Sequence, residues 1–188
     1  MDKRQDNDHE WMPIKTIYNK EMQISAYLDE HQIEHYIPMS YKLKEKSKEE
    51  ERCERILVPA IHNLIFIHHP YNKSWCDEFI KKIPFPVYFL KKERNGQEYC
   101  TISHKEMQNF MHATDPTIQG TRFIDPELVR AKKGELVRVI KEGPLYGVIG
   151  KFIRYGNRHY VAIELSGTTA LMKVSYTWCE RISTEQIE

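Results

Sequence analysis

Val58-Pro59-Ala60-Ile61-His62-Asn63-Leu64-Ile65-Phe66-Ile67-His68 is the stretch on which the reading of this chain turns. The apolar run from Leu64 to Ile67 reads as a buried strand. A strand repeats every two residues. Leu64 and Phe66 therefore share one face, and Ile65 and Ile67 take the other. One face is expected to meet helices, and the other to present an apolar patch with Ile61 and Pro59 beside it. Periodicity alone does not assign the two.

Reading outward, Trp11 to Tyr18 has strand character. Pro13 lies within it and cannot donate to a ladder, so an edge position or a bulge is expected. A helix is expected over 20–31, since Ile24, Tyr27, Leu28 and His31 recur at helical spacing. A strand is expected over 34–41. Downstream come a helix over 74–82, a strand at Val87–Leu90 and a turn signal at Asn95-Gly96. Ser103 and Glu106 have the spacing of a capping box that opens another helix, with Met107, Phe110 and Met111 on one face. The order is that of an α+β sandwich, with helices covering a mostly antiparallel sheet.

The tract from Lys42 to Arg55 carries six basic and five acidic residues. Such a tract reads as a solvated hairpin tip. Lys42, Lys44, Lys46 and Lys48 are its candidates for touching nucleic acid or a partner loop. The interspersed glutamates oppose tight phosphate binding, which needs uncancelled positive charge. Asp115-Pro116, Gly120 and Asp125-Pro126 then punctuate a linker over 114–132. From 133 to 182 nothing has helical spacing. Short strands recur between turns at Gly143-Pro144, Gly147, Gly150 and Gly156-Asn157. That spacing predicts a small closed β-barrel. Residues 133–182 hold eight Lys and Arg against four Glu, while the whole chain is only +1.

The chain has 188 residues, 40% hydrophobic and 29% charged, which allows a packed core and excludes wholesale disorder. Near-balanced charge excludes a simple polycationic coat for nucleic acid. No apolar run reaches the roughly 18 residues of a membrane span. The polar start lacks the apolar stretch of a secretory signal, so a cytoplasmic protein is expected. Cys53, Cys76, Cys100 and Cys179 have no zinc spacing and read as free thiols. Neither a metal nor any other cofactor is expected.

The segment Lys133-Gly134-Glu135-Leu136-Val137-Arg138-Val139, continued by Glu142-Gly143-Pro144-Leu145-Tyr146-Gly147-Val148-Ile149-Gly150-Lys151, resembles a KOW motif. Gly143, Pro144, Gly147 and Gly150 carry that resemblance. Trp11, Asn19-Lys20-Glu21, Ile33 to Pro38, and Arg55 with Val58-Pro59 ahead of Asn63 to Ile67 resemble the NusG N-terminal domain. The spelling of Val58 to Phe66 is similar to UpxY-type antiterminators, specialised NusG paralogues of capsular polysaccharide operons. His62-Asn63-Leu64 stands where general NusG proteins often carry Pro-Gly-Tyr, which favours a specialised paralogue.

The resemblance implies a flexible tail over 1–10, a NusG-like domain over 11–113, a linker over 114–132, an SH3-like KOW barrel over 133–182 and a tail over 183–188. It implies a non-enzymatic, monomeric elongation or antitermination factor. Its N-terminal domain would grip the clamp helices of the largest RNA polymerase subunit and disfavour pausing. The expected contacts are Trp11, Pro59, Ile61, Leu64 and Phe66. Nascent RNA or non-template DNA, and a ribosomal protein or Rho through the KOW domain, are further partners it implies.

Each assignment has a plainer alternative. Trp11 serves equally as core. Tyr146, Phe152, Tyr155 and Tyr160 near Arg154 and Arg158 suit RNA stacking, yet a small barrel needs aromatics for its own core. A KOW-type RNA-binding protein of the translation apparatus is the competing function. A Cys/His nucleophile built from His62, His68, His69, Cys53 and Cys76 is a third, without motif support.

Overall fold

The computed structural model of the chain describes residues 9–44, 54–93, 95–118, 120–130 and 134–183. The apolar run becomes strand β5, and chain order supplies its neighbours. Strand β1 (His9–Thr16) leads to helix α1 (Glu21–Glu30), short strand β2 (His35–Tyr36), β3 (Met39–Leu43), β4 (Arg55–Pro59) and β5 (Leu64–Pro70). Helix α2 (Lys73–Lys82), β6 (Val87–Phe89) and α3 (His104–Ala113) follow. The first sheet has the order β2-β5-β1-β6. It is antiparallel, with Trp11 opposite His68 and Ile14 opposite Ile65.

Pro13 is not at an edge. It lies in central strand β1, opposite Phe66. Its carbonyl accepts from the Leu90 N–H at 3.0 Å. The N–H and C=O of a strand residue point the same way, so the missing donor faces the short β6 side and leaves the β5 ladder intact. Residues His9 and Glu10, expected in a tail, also belong to β1. The strand expected over 34–41 is split. β2 joins the main sheet, whereas β3 pairs only with β4 as a separate two-stranded arm. Pro38 stands at the break, and its carbonyl accepts from Ala60 N–H at 2.8 Å.

The alternation in β5 sorts two cores. Ile65 and Ile67 join Met12 and Ile14 under α1 and α2, against Ile24, Leu28, Cys76 and Phe79. Leu64 and Phe66 join Trp11 on the opposite face, against Met107 and Phe110 of α3. The turn that feeds β5 is fixed by polar contacts. Asn63 adopts φ 61°, and its N–H donates to the buried Glu21 carboxylate. Its side-chain oxygen accepts from Asn19 N–H at 3.0 Å and from the Thr16 hydroxyl at 3.2 Å.

Beyond α3, the stretch read as a linker contains β7 (Arg122–Ile124) and α4 (Glu127–Arg130). Strands β8 (Glu135–Val139), β9 (Ile149–Tyr155), β10 (Arg158–Leu165), β11 (Thr168–Lys173) and β12 (Cys179–Arg181) complete a C-terminal antiparallel sheet of order β12-β8-β9-β10-β11-β7. The closed barrel is therefore corrected to an open sheet, with no ladder joining β12 to β7 among the described residues. Strand β7 lies along the edge of β11 that closure would use. No helix among the described residues is long and apolar enough to cross a membrane.

Helix α3 opens as expected. The Ser103 hydroxyl accepts from Glu106 N–H at 3.2 Å, and the Glu106 carboxylate accepts from Ser103 N–H at 3.0 Å. Ser103→Ala removes an N-cap worth about 1 kcal/mol. A fall in the urea midpoint at unchanged slope is the expected result.

Candidate functional site

Trp11 lies in β1 with 2% of its surface exposed. Its indole stacks on the His68 ring at 4.6 Å, and its N–H donates to His104 Nδ1 at 3.4 Å. The His68 Nδ1–H donates to Glu34 at 2.6 Å. Phe66 meets Phe110 edge-on at 5.6 Å. Tyr36 caps the end of α3 through its hydroxyl and that of Thr114, 2.8 Å apart, and its burial raises the phenol pKa. Ile61 is half-buried and packs against this cluster, while Pro59, also half-buried, pairs with Met39 at the base of the arm.

The face does not stop at the N-terminal region. Trp11, Leu64, Phe66 and Phe110 share one continuous core with Val137, Val139, Val148, Val161, Ile163, Leu165 and Met172 of the C-terminal sheet. One close approach is at Gly167, in the turn between β10 and β11. A Cβ there would lie 2.7 Å from Leu90 Cδ1 and 3.4 Å from Leu64 Cδ1, and the residue has φ +93°. Only glycine meets both demands at low cost.

Polar contacts hold the cover in register. The Asn109 side chain bridges the backbone of Ile149, donating to its carbonyl at 2.7 Å and accepting from its N–H at 2.9 Å. His112 Nε2–H donates to the Pro144 carbonyl at 2.8 Å. Burial lowers the pKa of the Lys15 ammonium, and the charge of Asp125 partly offsets this. A groove of about 590 Å³ remains between α3 and the sheet, with Lys105, Asn109, Leu136 and Leu165 among its walls.

A family model described as "Transcription termination factor nusG" matches residues 9–111, more than half of the chain. The chain belongs to the NusG family. Proteins of that family are non-enzymatic transcription elongation and termination factors that bind RNA polymerase. No curated protein matches the chain. The two layers built on β1 and β5 fall within the matched NusG region, and the C-terminal sheet lies beyond it.

The remaining sequence candidates fall in different places. Lys44 lies just past β3 and pairs with Glu54 at 3.2 Å, so its charge is cancelled. Lys42 is exposed on the arm, opposite Ile56. Lys46, Lys48 and Cys53 lie outside the described residues. Gly143 and Gly147 bracket a turn in which Tyr146 N–H donates to the Gly143 carbonyl, and Pro144 supplies the acceptor for His112. Gly150 lets β9 approach β10, since a Cβ there would lie 2.6 Å from the Ala162 carbonyl. Cys76 is buried with its thiol 3.6 Å from the Met12 sulfur. Burial pushes that thiol up to about 11, the opposite of what an activated nucleophile needs. His69 stacks on Trp75 at 3.8 Å.

Sequence reading missed Asn109 and Gly167, which hold the two regions together. Asn109 looks like ordinary polar decoration of α3, and Gly167 like one turn glycine among several. Asn109→Ala leaves the Ile149 backbone unsatisfied, at a cost of about 1–3 kcal/mol to the docked state. We expect it to raise the binding of an apolar dye while leaving the far-ultraviolet circular dichroism unchanged. Gly167→Val should act in the same direction and more strongly.

Proposed function

We propose that this NusG-family chain is an antiterminator of the UpxY type, acting in the cytoplasm on a polysaccharide biosynthesis operon. In this reading Trp11, Leu64 and Phe66, flanked by Ile61 and Pro59, form the surface for the clamp helices of the largest polymerase subunit. The C-terminal sheet is its KOW module. The supporting observation is that the apolar face of β1 and β5 opposite α1 and α2 is covered by that sheet alongside α3. The fit is made by a glycine turn and a few hydrogen bonds.

A covered binding face has a thermodynamic consequence. If the open form is about 1% populated, apparent affinity for the polymerase falls about 100-fold. The polymerase binds only the open form and draws the equilibrium towards it. Bound across the clamp, the factor favours the closed clamp by its differential affinity, which disfavours pausing and needs no catalytic residue.

The arm of β3 and β4 is the second contact in this reading. Tyr41, Leu43 and Leu57 are exposed, at 51%, 63% and 47%. Tyr41 lies directly opposite Leu57 and shares its face. With Lys44 neutralised by Glu54, the arm suits an apolar polymerase loop better than phosphates.

Retention on core RNA polymerase tests the proposal. Asn109→Ala is expected to bind more tightly than the parent chain, and Ile61→Asp in that background to lose the gain. Read-through past a terminator in vitro should follow the same order. An opened variant that neither binds core polymerase nor lengthens transcripts sinks the reading.

A further inference from the structure

The tether between the two regions is shorter than its composition suggests. Strand β7 pairs along β11, with Phe123 opposite Ala170 and Ile124 opposite Thr169. It sorts its side chains as the rest of that sheet does. Phe123 packs on the covered core and meets Phe110 edge-on at 6.4 Å, whereas Ile124 joins the cluster on the far face. That cluster surrounds Val129 of α4, which is fully buried with Ile153, Tyr160, Ala162 and Leu171. None of its described members precedes Ile124 in the chain. Strand β7 and α4 therefore have packing partners that do not depend on the N-terminal region.

The eight residues from Thr114 to Thr121 bond among themselves and to the end of α3 instead. The Asp115 carboxylate accepts from Thr117 N–H at 2.8 Å, and the Asp115 carbonyl accepts from Ile118 N–H at 2.9 Å. The Thr121 hydroxyl reaches back to the Ala113 carbonyl at 3.3 Å. The start and the end of this loop thus lie side by side, and its length is coiled rather than stretched. Drawn straight, eight residues span roughly 28 Å, whereas the nineteen residues of 114–132 would span roughly 65 Å.

We infer that the C-terminal region leaves the covered face as one body that begins at Arg122, on a tether limited to 114–121 and held coiled while docked. Strand β7 and α4 travel with the sheet, and Phe123 parts from Phe110 as the face opens. The inference rests on the proposed reading, in which that face opens for the polymerase, and it sets how far the cover can travel. A helix with its side chains is about 10–12 Å across, so a pair of clamp helices needs on the order of 20 Å of clearance. The extended tether supplies that clearance with little to spare. The released body stays beside the bound face, where the short tether keeps its effective concentration high, and it covers the face again once the clamp is released.

Amide hydrogen exchange, followed by NMR on the full chain, tests the extent of the body. In both the parent and the Asn109→Ala chain, the β7 amides bonded to β11 are expected to stay as protected as those of β11. The Thr117 and Ile118 amides are expected to lose protection on opening. Val129→Asp is expected to speed exchange in β7, β10 and β11 and to leave β5 unaffected. Deleting Thr117 to Gly120 shortens the tether to four residues, roughly 14 Å. The loop ends are adjacent when docked, so this deletion should leave circular dichroism and dye binding at parental values. In the Asn109→Ala background it is expected to weaken retention on core polymerase about ten-fold, because the open form no longer admits both helices. The inference is overturned if β7 exchanges faster than β11 on opening, if Val129→Asp leaves β10 and β11 at parental protection, or if the deletion keeps full retention. Failure of every chain to be retained counts against the polymerase reading alone, and the exchange of β7, β10 and β11 then decides the extent of the body by itself.

Discussion

The apolar face formed by Trp11, Leu64 and Phe66 governs the rest of the molecule, because two regions of the chain both depend on covering it. The N-terminal sheet has a face of its own for α1 and α2, sealed by Ile65, Ile67, Met12 and Ile14. Its second face is too apolar to be left to water, and α3 together with the C-terminal strands fills the gap. The C-terminal sheet has the matching problem. Val137, Val161 and Met172 lie on the face turned towards the N-terminal region, while Ile153, Tyr160 and Leu171 pack with Val129 of α4 on the other. Docking satisfies both surfaces at once.

That arrangement explains why the C-terminal strands form an open sheet. A closed barrel would protect its own edges and hide its own apolar interior. Here the segment before the sheet contributes β7 to the β11 edge and α4 to one face, and the N-terminal region takes the other face. In the proposed reading, polymerase binding and internal packing compete for one surface. The polar contacts of Asn109 and His112 and the glycine fit at Gly167 determine how strongly packing wins.

Much of this was legible in the residues. The capping box at Ser103, the helices around Ile24 and Trp75, and the split of Leu64 and Phe66 from Ile65 and Ile67 follow from local spacing, and all appear as read. Two expectations failed through competition at longer range. Pro13 suggested an edge, yet a central strand tolerates proline where the lost donor faces a short neighbour. The even spacing of the C-terminal strands suggested closure, yet a strand from the supposed linker took the edge. The lysine-rich arm drew attention as a cationic tip, but Glu54 pairs with Lys44 at its base.

By itself the sequence determined the local conformations, the two-sided sorting of each strand and the family, because these depend on neighbours a few residues apart and on turn chemistry. Tertiary structure alone decided which side of β5 meets α1 and α2, what lies over Trp11, and that Asn109 serves the Ile149 backbone forty residues away. Periodicity states that a surface is apolar, but it carries no record of the surface it will meet. That choice is made by shape and area once distant segments are brought together.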